Sequence, residues 1–309
     1  EARGVRRGSP PSSPPRRSVT MLKFPPETAA TVTFADRGEN EYSMQIEGSK
    51  TCRFTSVADL LELKEAYGEA ADYYPLTVDV EGIPSEEAGV LVLRGYAKNE
   101  ADQLMHEVEY MKRHGFVDTT SFSFGEVRNK HARHNNVIAW RRQAPDIANR
   151  KGTIVSFEDY EAFRGLHKRV HSDLKQPAEQ KLVGELNYYF DVKTCGIGFH
   201  GDKERDLVAG LSLGQATSQQ VLKFVPYLQV KALREPTEIR LAHGDLYIMS
   251  HKAIGSDCAK KNIVCWRHAR GAPSCKYSVV HPKHKTRGIS KPKVAKATAA
   301  KKAAAGSDR

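Results

Sequence analysis

The order of apolar and polar positions divides the chain into a part that contains helices and a later part rich in strands. From about Thr153, a helical pattern in SFEDYEAFRGLHKRVHSDL is followed by short apolar runs that Gly, Asp and Pro interrupt. These runs are ELNYYFDV, TCGIGFH, LVAGLSLG, VLKFVPYLQV, TEIRLAHGDLYIMS, NIVCWRHA and CKYSVV. Seven or so short strands in succession predict an antiparallel sandwich or barrel, so we expect a mainly β fold with flanking helices.

The first half of the chain mixes helical and strand patterns. Residues 29–84 predict a small α+β unit: TVTFAD, YSMQIEG and PLTVDV favour strands, and SVADLLELKEAYGEAADYY favours a helix that begins at Ser56. A second domain is then predicted over residues 85–282. It opens with a buried strand in SEEAGVLVLRG and an amphipathic helix in NEADQLMHEVEYMKRHG, which ends at Gly115.

Positive charge is concentrated at the two ends of the chain. The formal net charge of +11 divides into +4 over residues 1–28, +8 over residues 283–309 and −1 over the remaining 254 residues. Residues 1–28 are rich in Pro, Ser and Arg, and residues 283–309 are rich in Lys and Ala, so both predict disordered basic arms. The first residue is Glu rather than Met, which leaves room for an upstream segment.

Several classes of protein do not fit this composition. No run approaches the ~20 apolar residues that a membrane span needs, and the start lacks the apolar core of a secretory signal. The prediction is an intracellular protein, with a nuclear address compatible with the Lys-rich tail. The five cysteines contain no CxxC pair, which predicts neither a disulfide framework nor a zinc ribbon. They are Cys52, Cys195, Cys258, Cys265 and Cys275.

A His-x-Asp motif occurs three times and is the main candidate for chemistry. Two histidines and one carboxylate with open positions are the usual ligands of non-haem Fe(II) in oxygenases. The three pairs are His171 with Asp173, His200 with Asp202, and His243 with Asp245. The first pair ends a charged helix and the third resembles a turn before the apolar strand LYIMS. The second closes the strand CGIGFH, where an imidazole can project from a buried sheet, so it is favoured.

The residues around this motif resemble a known family. The run NYYFDVKTCGIGFHGDKERDLVAGLSLG, followed by GDLYIMS and WRHARG, is similar to AlkB-like Fe(II)- and 2-oxoglutarate-dependent dioxygenases of large DNA viruses and microbial eukaryotes. The resemblance is specific over about 185–271 and looser over 85–184, and residues 29–60 resemble the small N-terminal unit of those proteins. It implies a double-stranded β-helix core, also called a jelly roll or cupin-like fold, beside that α+β unit.

The resemblance also implies a cofactor set and its ligands. His200, Asp202 and His268 would bind Fe(II), and Asn187 and Tyr189 would contact the cosubstrate 2-oxoglutarate. With O2, such enzymes release succinate and CO2 while they hydroxylate a C–H bond. Hydroxylation of an N-methyl group ends in loss of formaldehyde.

One element of the family pattern is missing. The family places an Arg-x5-Arg pair well after the distal histidine, and no such pair follows in this sequence. A buried cation is needed to pair with the distal carboxylate of 2-oxoglutarate. Lys276, with Ser278 adding a hydrogen bond, is the first candidate, and Arg270 and Arg287 are the alternatives. Lys276 also fits a plain surface position on an edge strand.

Evidence for the substrate is confined to one short basic segment and the two arms. GEVRNKHARHNNVIAW lies where a substrate lid would precede the core, and a solvated basic loop fits it equally well. Its candidate contacts are Arg128, Lys130, His131, Arg133 and His134. The leading hypothesis is therefore an oxidoreductase that demethylates or hydroxylates alkylated DNA or RNA, in repair or regulation. The alternatives are a hydroxylase or demethylase of protein side chains and a catalytically silent DNA- or chromatin-binding protein.

Overall fold

Two β-sheets form the frame of the protein in its computed structural model, which describes residues 25–41, 44–51, 53–83, 86–260 and 262–271. The fold is mainly β, as the sequence predicts, with helices placed around the sheets. The strands are β1 (Ala29–Ala35), β2 (Arg37–Glu39), β3 (Ile46–Gly48), β4 (Ala71–Leu76), β5 (Ala88–Leu93), β6 (Thr120–Ser123), β7 (Glu126–Asn129), β8 (His134–Ala139), β9 (Ile154–Ser156), β10 (Val183–Tyr189), β11 (Gly196–His200), β12 (Val208–Leu213), β13 (Leu222–Leu228), β14 (Lys231–Ala232), β15 (Thr237–Ile239), β16 (Leu246–Met249) and β17 (Val264–Gly271). The helices are α1 (Val57–Tyr67), α2 (Ala101–Arg113), α3 (Glu161–Asp173) and the single turn α4 (His251–Ile254).

The larger sheet has eight strands in the order β4-β5-β16-β12-β1-β10-β8-β9. Neighbouring strands are antiparallel except for the parallel pair β8–β9. β1 lies near the centre, where Val32 faces Leu186 on one side and Leu211 on the other. All seven residues of β1 are buried, so it completes the core of the later strands. The predicted boundary after residue 84 therefore does not separate two structural units.

The smaller sheet has the order β11-β17-β13-β14, with β15 also paired to β13. Apolar side chains from both sheets meet in one buried cluster, in which Val92 and Val208 of the large sheet join Leu222, Phe224 and Trp266 of the small sheet. Burial of such side chains is the main source of stability for a fold of this kind. The two sheets enclose the cavity that holds the candidate site, described below.

The helices begin and end where local residues satisfy their ends. α1 begins at Ser56, whose side chain and that of Asp59 form a reciprocal capping box. Gly68, with φ 56°, ends α1, and residues 71–76 form β4, although the sequence predicts that the helix continues to Tyr74 and that a strand begins at Pro75. α2 ends before Gly115, at φ 73°, as predicted. No helix in the described ranges is long and apolar enough to cross a membrane.

One disulfide bond departs from the sequence prediction. Cys258 and Cys265 are bonded across the loop between α4 and β17, and the free Cys195 is buried elsewhere. Their spacing matches no disulfide framework, and only the fold of this loop brings the two side chains together beside the carbonyl oxygen of Trp266. Cys52, Cys275, residues 1–24 and the whole C-terminal arm lie outside the described residues. Residues 25–28, predicted as the end of the disordered first arm, are described: Thr28 is buried and the carbonyl oxygen of Glu27 accepts a hydrogen bond from the backbone N–H of Val192.

Candidate metal centre

Two strands of the small sheet bring together the favoured His-x-Asp pair and the distal histidine. His200 ends β11 and lies opposite His268 on β17. The Nε2 atom of His200 is 3.2 Å from one carboxylate oxygen of Asp202, and the Nε2 atom of His268 is 3.8 Å from the other. The three side chains form a group that could hold a metal ion. The predicted grouping of these residues is thereby confirmed.

Hydrogen bonds and charges around the triad suit it to a cation. The Nδ1 atom of His200 contacts the carbonyl oxygen of Gly198 at 2.8 Å, which leaves Nε2 to face the centre. Burial lowers the pKa of His268 to about 3, helped by the nearby His200, so His268 is a neutral imidazole. Burial alone would raise the pKa of Asp202, but the guanidinium of Arg205 offsets this and holds it well below its ordinary value. The group therefore offers one carboxylate and a neutral imidazole as metal ligands.

The two other His-x-Asp pairs have structural partners. Asp173 accepts hydrogen bonds from the hydroxyls of Tyr67 and Tyr96, at 2.8 and 2.6 Å. His243 accepts a hydrogen bond from the backbone N–H of Gly214, and Asp245 pairs with Arg94. Neither pair belongs to a metal-competent group within the described part of the chain.

A cavity of about 660 Å³ contains the triad and extends between the two sheets. Asn187 and Tyr189 of β10 line it, as does Arg270 of β17, which is two residues beyond His268 and so on the same face of the strand. Arg270 is 4% exposed and donates hydrogen bonds to the hydroxyls of Ser212 and Thr217, at 2.9 and 2.5 Å.

Arg270 is a buried cation whose described partners are neutral. None of the ion pairs found between described residues involves it, and its Nε atom is buried without a hydrogen-bond partner. A charge in this situation is costly unless a ligand compensates it. Lys276 and Ser278, the first candidates from the sequence, lie outside the described residues, as does Arg287.

The basic segment predicted as a lid divides into side chains with different surroundings. Arg133 lines the cavity, whereas Lys130 is buried beside Asn135, and burial lowers its pKa to about 8. Arg128 is exposed on β7, where it pairs with Glu126. The ring of His134 packs against Phe190, and His131 is exposed. Of the five residues, Arg133 is the one that borders the cavity.

The turn between His200 and Asp202 is held by the end of α4 and by the loop that carries the disulfide. The backbone N–H of Asp202 donates to the carbonyl oxygen of Ile254 at 3.1 Å. A Cβ atom added to Gly201 would lie 2.3 Å from the carbonyl oxygen of Gly255 and 2.8 Å from Sγ of Cys258. Only glycine fits between His200 and Asp202 without displacing this loop.

Of the further charged residues that line the cavity, two are buried, Glu185 and Arg205, and the sequence motifs do not indicate them. Glu185 precedes Asn187 on β10, and Arg205 follows Asp202 by three residues. The guanidinium of Arg205 donates to Glu185 at 2.7 Å and lies 3.7 Å from Asp202. Burial would raise the pKa of Glu185, but Arg205 outweighs burial and the pKa is lowered. The one signal in the sequence is a glutamate inside the otherwise uncharged run VGELNYY.

Comparison with known proteins gives a viral relative. No family model matches the chain. Uncharacterized protein R156 of Acanthamoeba polyphaga mimivirus is 35% identical over 249 residues, which cover 78% of this chain and 94% of the viral protein.

Proposed function

We propose that this chain, which belongs to the same family as the mimivirus protein R156, is an Fe(II)- and 2-oxoglutarate-dependent dioxygenase with a jelly-roll core. The observation that carries the proposal is that His200, Asp202 and His268 share one cavity with the buried cation Arg270. A metal-competent group beside a guanidinium that has no acidic partner among the described residues suits a cosubstrate that chelates the metal at one end and carries a carboxylate at the other.

The donor set fits a ferrous ion. Two imidazoles and one carboxylate are the facial ligands of non-haem Fe(II), and they leave open positions for other ligands. The contact of His200 with the Gly198 carbonyl is the kind of outer contact that orients metal-bound histidine. When bound, Fe(II) would supply the O2 chemistry that couples decarboxylation of 2-oxoglutarate to oxidation of a substrate C–H bond.

The residues of the chain would bind and orient the cosubstrate. Arg270 would pair with its distal carboxylate, with the hydroxyls of Ser212 and Thr217 holding the guanidinium in place. Asn187 and Tyr189 line the same cavity and would contact the end nearer the metal. Tyr189 is fully buried, so this wall of the cavity also excludes water.

For the substrate, we propose alkylated nucleic acid, which the enzyme would demethylate or hydroxylate with release of succinate and CO2. Support comes from the basic arms in the sequence and from Arg133 at the cavity, since guanidinium groups bind phosphates well. An intracellular, nuclear site of action suits such a substrate. The described body contributes little positive charge, so the arms would supply most of the attraction.

Succinate formation tests the chemistry. The full chain with Fe(II), ascorbate and 2-oxoglutarate should form succinate, and His200→Ala should abolish it. His243→Ala is the matched control, because that histidine belongs to a His-x-Asp pair outside the metal-competent group. Equal background turnover in the wild type and the His200→Ala variant would refute the enzyme.

A panel of methylated DNA, RNA and peptides then tests the substrate. Formaldehyde release above the substrate-free rate with a nucleic acid supports the proposal. Release with a methylated peptide alone would assign the same iron chemistry to protein side chains.

A further inference from the structure

A chain of alternating charges connects the metal ligand Asp202 to Asn187 along the cavity wall. Arg205 lies between Asp202 and Glu185, and its hydrogen bond to Glu185 is 2.7 Å long. Glu185 in turn accepts a hydrogen bond of 3.1 Å from Nδ2 of Asn187. The oxygen of the Asn187 amide, Oδ1, accepts a hydrogen bond of 2.5 Å from Nε of Arg133. Two of these groups, Glu185 and Arg133, contact the amide that the proposed function assigns to the cosubstrate.

These contacts determine the orientation of the Asn187 amide. A carboxylate can only accept hydrogen bonds and a guanidinium can only donate them. The amide nitrogen must therefore point to Glu185 and the amide oxygen to Arg133, which leaves one N–H of Asn187 for a ligand. Glu185 is 6% exposed and also accepts from the backbone N–H of Glu39 at 3.4 Å, so its own position is fixed from three sides.

We propose that Glu185 is a positioning residue that orients Asn187 toward 2-oxoglutarate and, through Arg205, supports the wall that carries Asp202. The proposal rests on the proposed function, because it assumes that 2-oxoglutarate binds at Asn187. Glu185 itself touches neither metal nor cosubstrate in this scheme. Its effect is transmitted by the two side chains that it holds.

Glu185→Gln is the most specific perturbation, because it preserves the shape of the side chain and replaces one hydrogen-bond acceptor with a donor. The introduced amide must offer its oxygen to Arg205, so its nitrogen faces the nitrogen of Asn187. If Asn187 rotates to avoid this, its nitrogen faces Arg133 instead. In every arrangement, therefore, two hydrogen-bond donors face each other and one hydrogen bond is lost. Loss of a contact of this kind, outside the direct ligands of a metal site, commonly lowers affinity or activity ~10- to 100-fold.

The double variant Glu185→Gln with Asn187→Asp restores the hydrogen bonds without restoring the ligand contact. The introduced aspartate can accept from both the introduced glutamine and Arg133, and the total charge equals that of the wild type. It has no N–H to donate to 2-oxoglutarate. The double variant should thus match the wild type in thermal stability and Mn(II) affinity while its 2-oxoglutarate affinity stays low.

The measurements are calorimetric titrations of Mn(II), then of 2-oxoglutarate onto the Mn(II)-loaded full chain, with thermal melting of each variant. Glu185→Gln should weaken 2-oxoglutarate binding ~10- to 100-fold. Glu47→Gln is the matched control: that carboxylate accepts from Arg141 at 2.9 and 2.6 Å and does not line the cavity, so both affinities should stay unchanged. If Glu185→Gln does not fold, Glu185→Asp replaces it. The shorter side chain keeps the negative charge but moves it away from Asn187, so this variant should show the same loss of 2-oxoglutarate affinity.

The outcomes separate this inference from the proposed function. Wild-type binding of 2-oxoglutarate with unchanged binding by Glu185→Gln would overturn the positioning role alone. Recovery of 2-oxoglutarate binding in the double variant would overturn it as well, since the N–H of Asn187 would then be dispensable. Failure of the wild type to bind 2-oxoglutarate would overturn the proposed function, and the role of Glu185 with it.

Discussion

Replacing Arg270 with methionine should separate ligand binding from folding. Arg270 is buried between two sheets, and its described partners are the hydroxyls of Ser212 and Thr217. Methionine fills much of the same volume without a charge. If the guanidinium of Arg270 pairs with the cosubstrate rather than with the protein, its removal should not lower the stability of the ligand-free protein and could raise it. The reason is that an uncompensated buried charge destabilises a fold.

The expected loss of affinity follows from the burial of the pair. Removing one partner of a buried, hydrogen-bonded charge pair costs about 2–5 kcal/mol. At about 1.4 kcal/mol for each factor of ten, this corresponds to about 30- to 4,000-fold weaker binding of 2-oxoglutarate. Arg270→Lys should lose less 2-oxoglutarate affinity, since lysine retains the positive charge and lacks only the bidentate hydrogen bonding of the guanidinium.

Calorimetric titration of 2-oxoglutarate onto the Mn(II)-loaded protein measures this loss, and thermal melting with and without 2-oxoglutarate measures stability. Lys276→Met provides the comparison, because the sequence alone favours that lysine. Wild-type affinity in Arg270→Met, together with a large loss in Lys276→Met, would refute the assignment of the cation to β17. A fall in the melting temperature of the ligand-free Arg270→Met protein would instead indicate a structural role for the guanidinium.

Three further predictions concern the metal turn, a buried carboxyl group and the basic tail. Gly201→Ala should weaken Mn(II) binding at least ~10-fold in a calorimetric titration, because the added methyl group collides with the Gly255 carbonyl; unchanged affinity would contradict the tight fit. Burial raises the pKa of Glu107 from 4.5 to about 7, so its contribution to stability is complete below pH 4.5 and is lost as the pH rises through 7. Between pH 5 and pH 8, urea unfolding should show that the wild type loses about 2.5 kcal/mol of stability relative to Glu107→Gln, and equal pH dependence of the two would argue against the shift. Deleting residues 283–309 should weaken binding of a nucleic acid in fluorescence anisotropy and reduce the salt slope by ~0.9 for each lost phosphate contact, whereas an unchanged slope would remove the tail as a contact.

The sequence predicts the strands and the metal group well because both depend on local pattern. A histidine at the end of a short buried strand, two residues before an aspartate, is recognisable without knowledge of partners. His268 follows from the order of strands in the family resemblance, and the pairing of β11 with β17 places it opposite His200. The position of β1 could not be predicted in this way. Its partners β10 and β12 are about 150 residues or more away in sequence, and nothing local encodes that pairing.

The outer contacts of the site are less predictable, and the reason is physical. Arg205 lies in the charged run GDKERD, where solvent exposure is the usual expectation, yet its side chain is 6% exposed. Glu185 lies in an apolar strand, where a charge is costly unless it is paired. Each residue is unfavourable in its local context, and the partner that resolves the cost is 20 residues away in sequence. A glutamate inside a buried strand is therefore itself a usable signal: it predicts a buried cation, and here that cation adjoins Asp202 of the candidate metal centre.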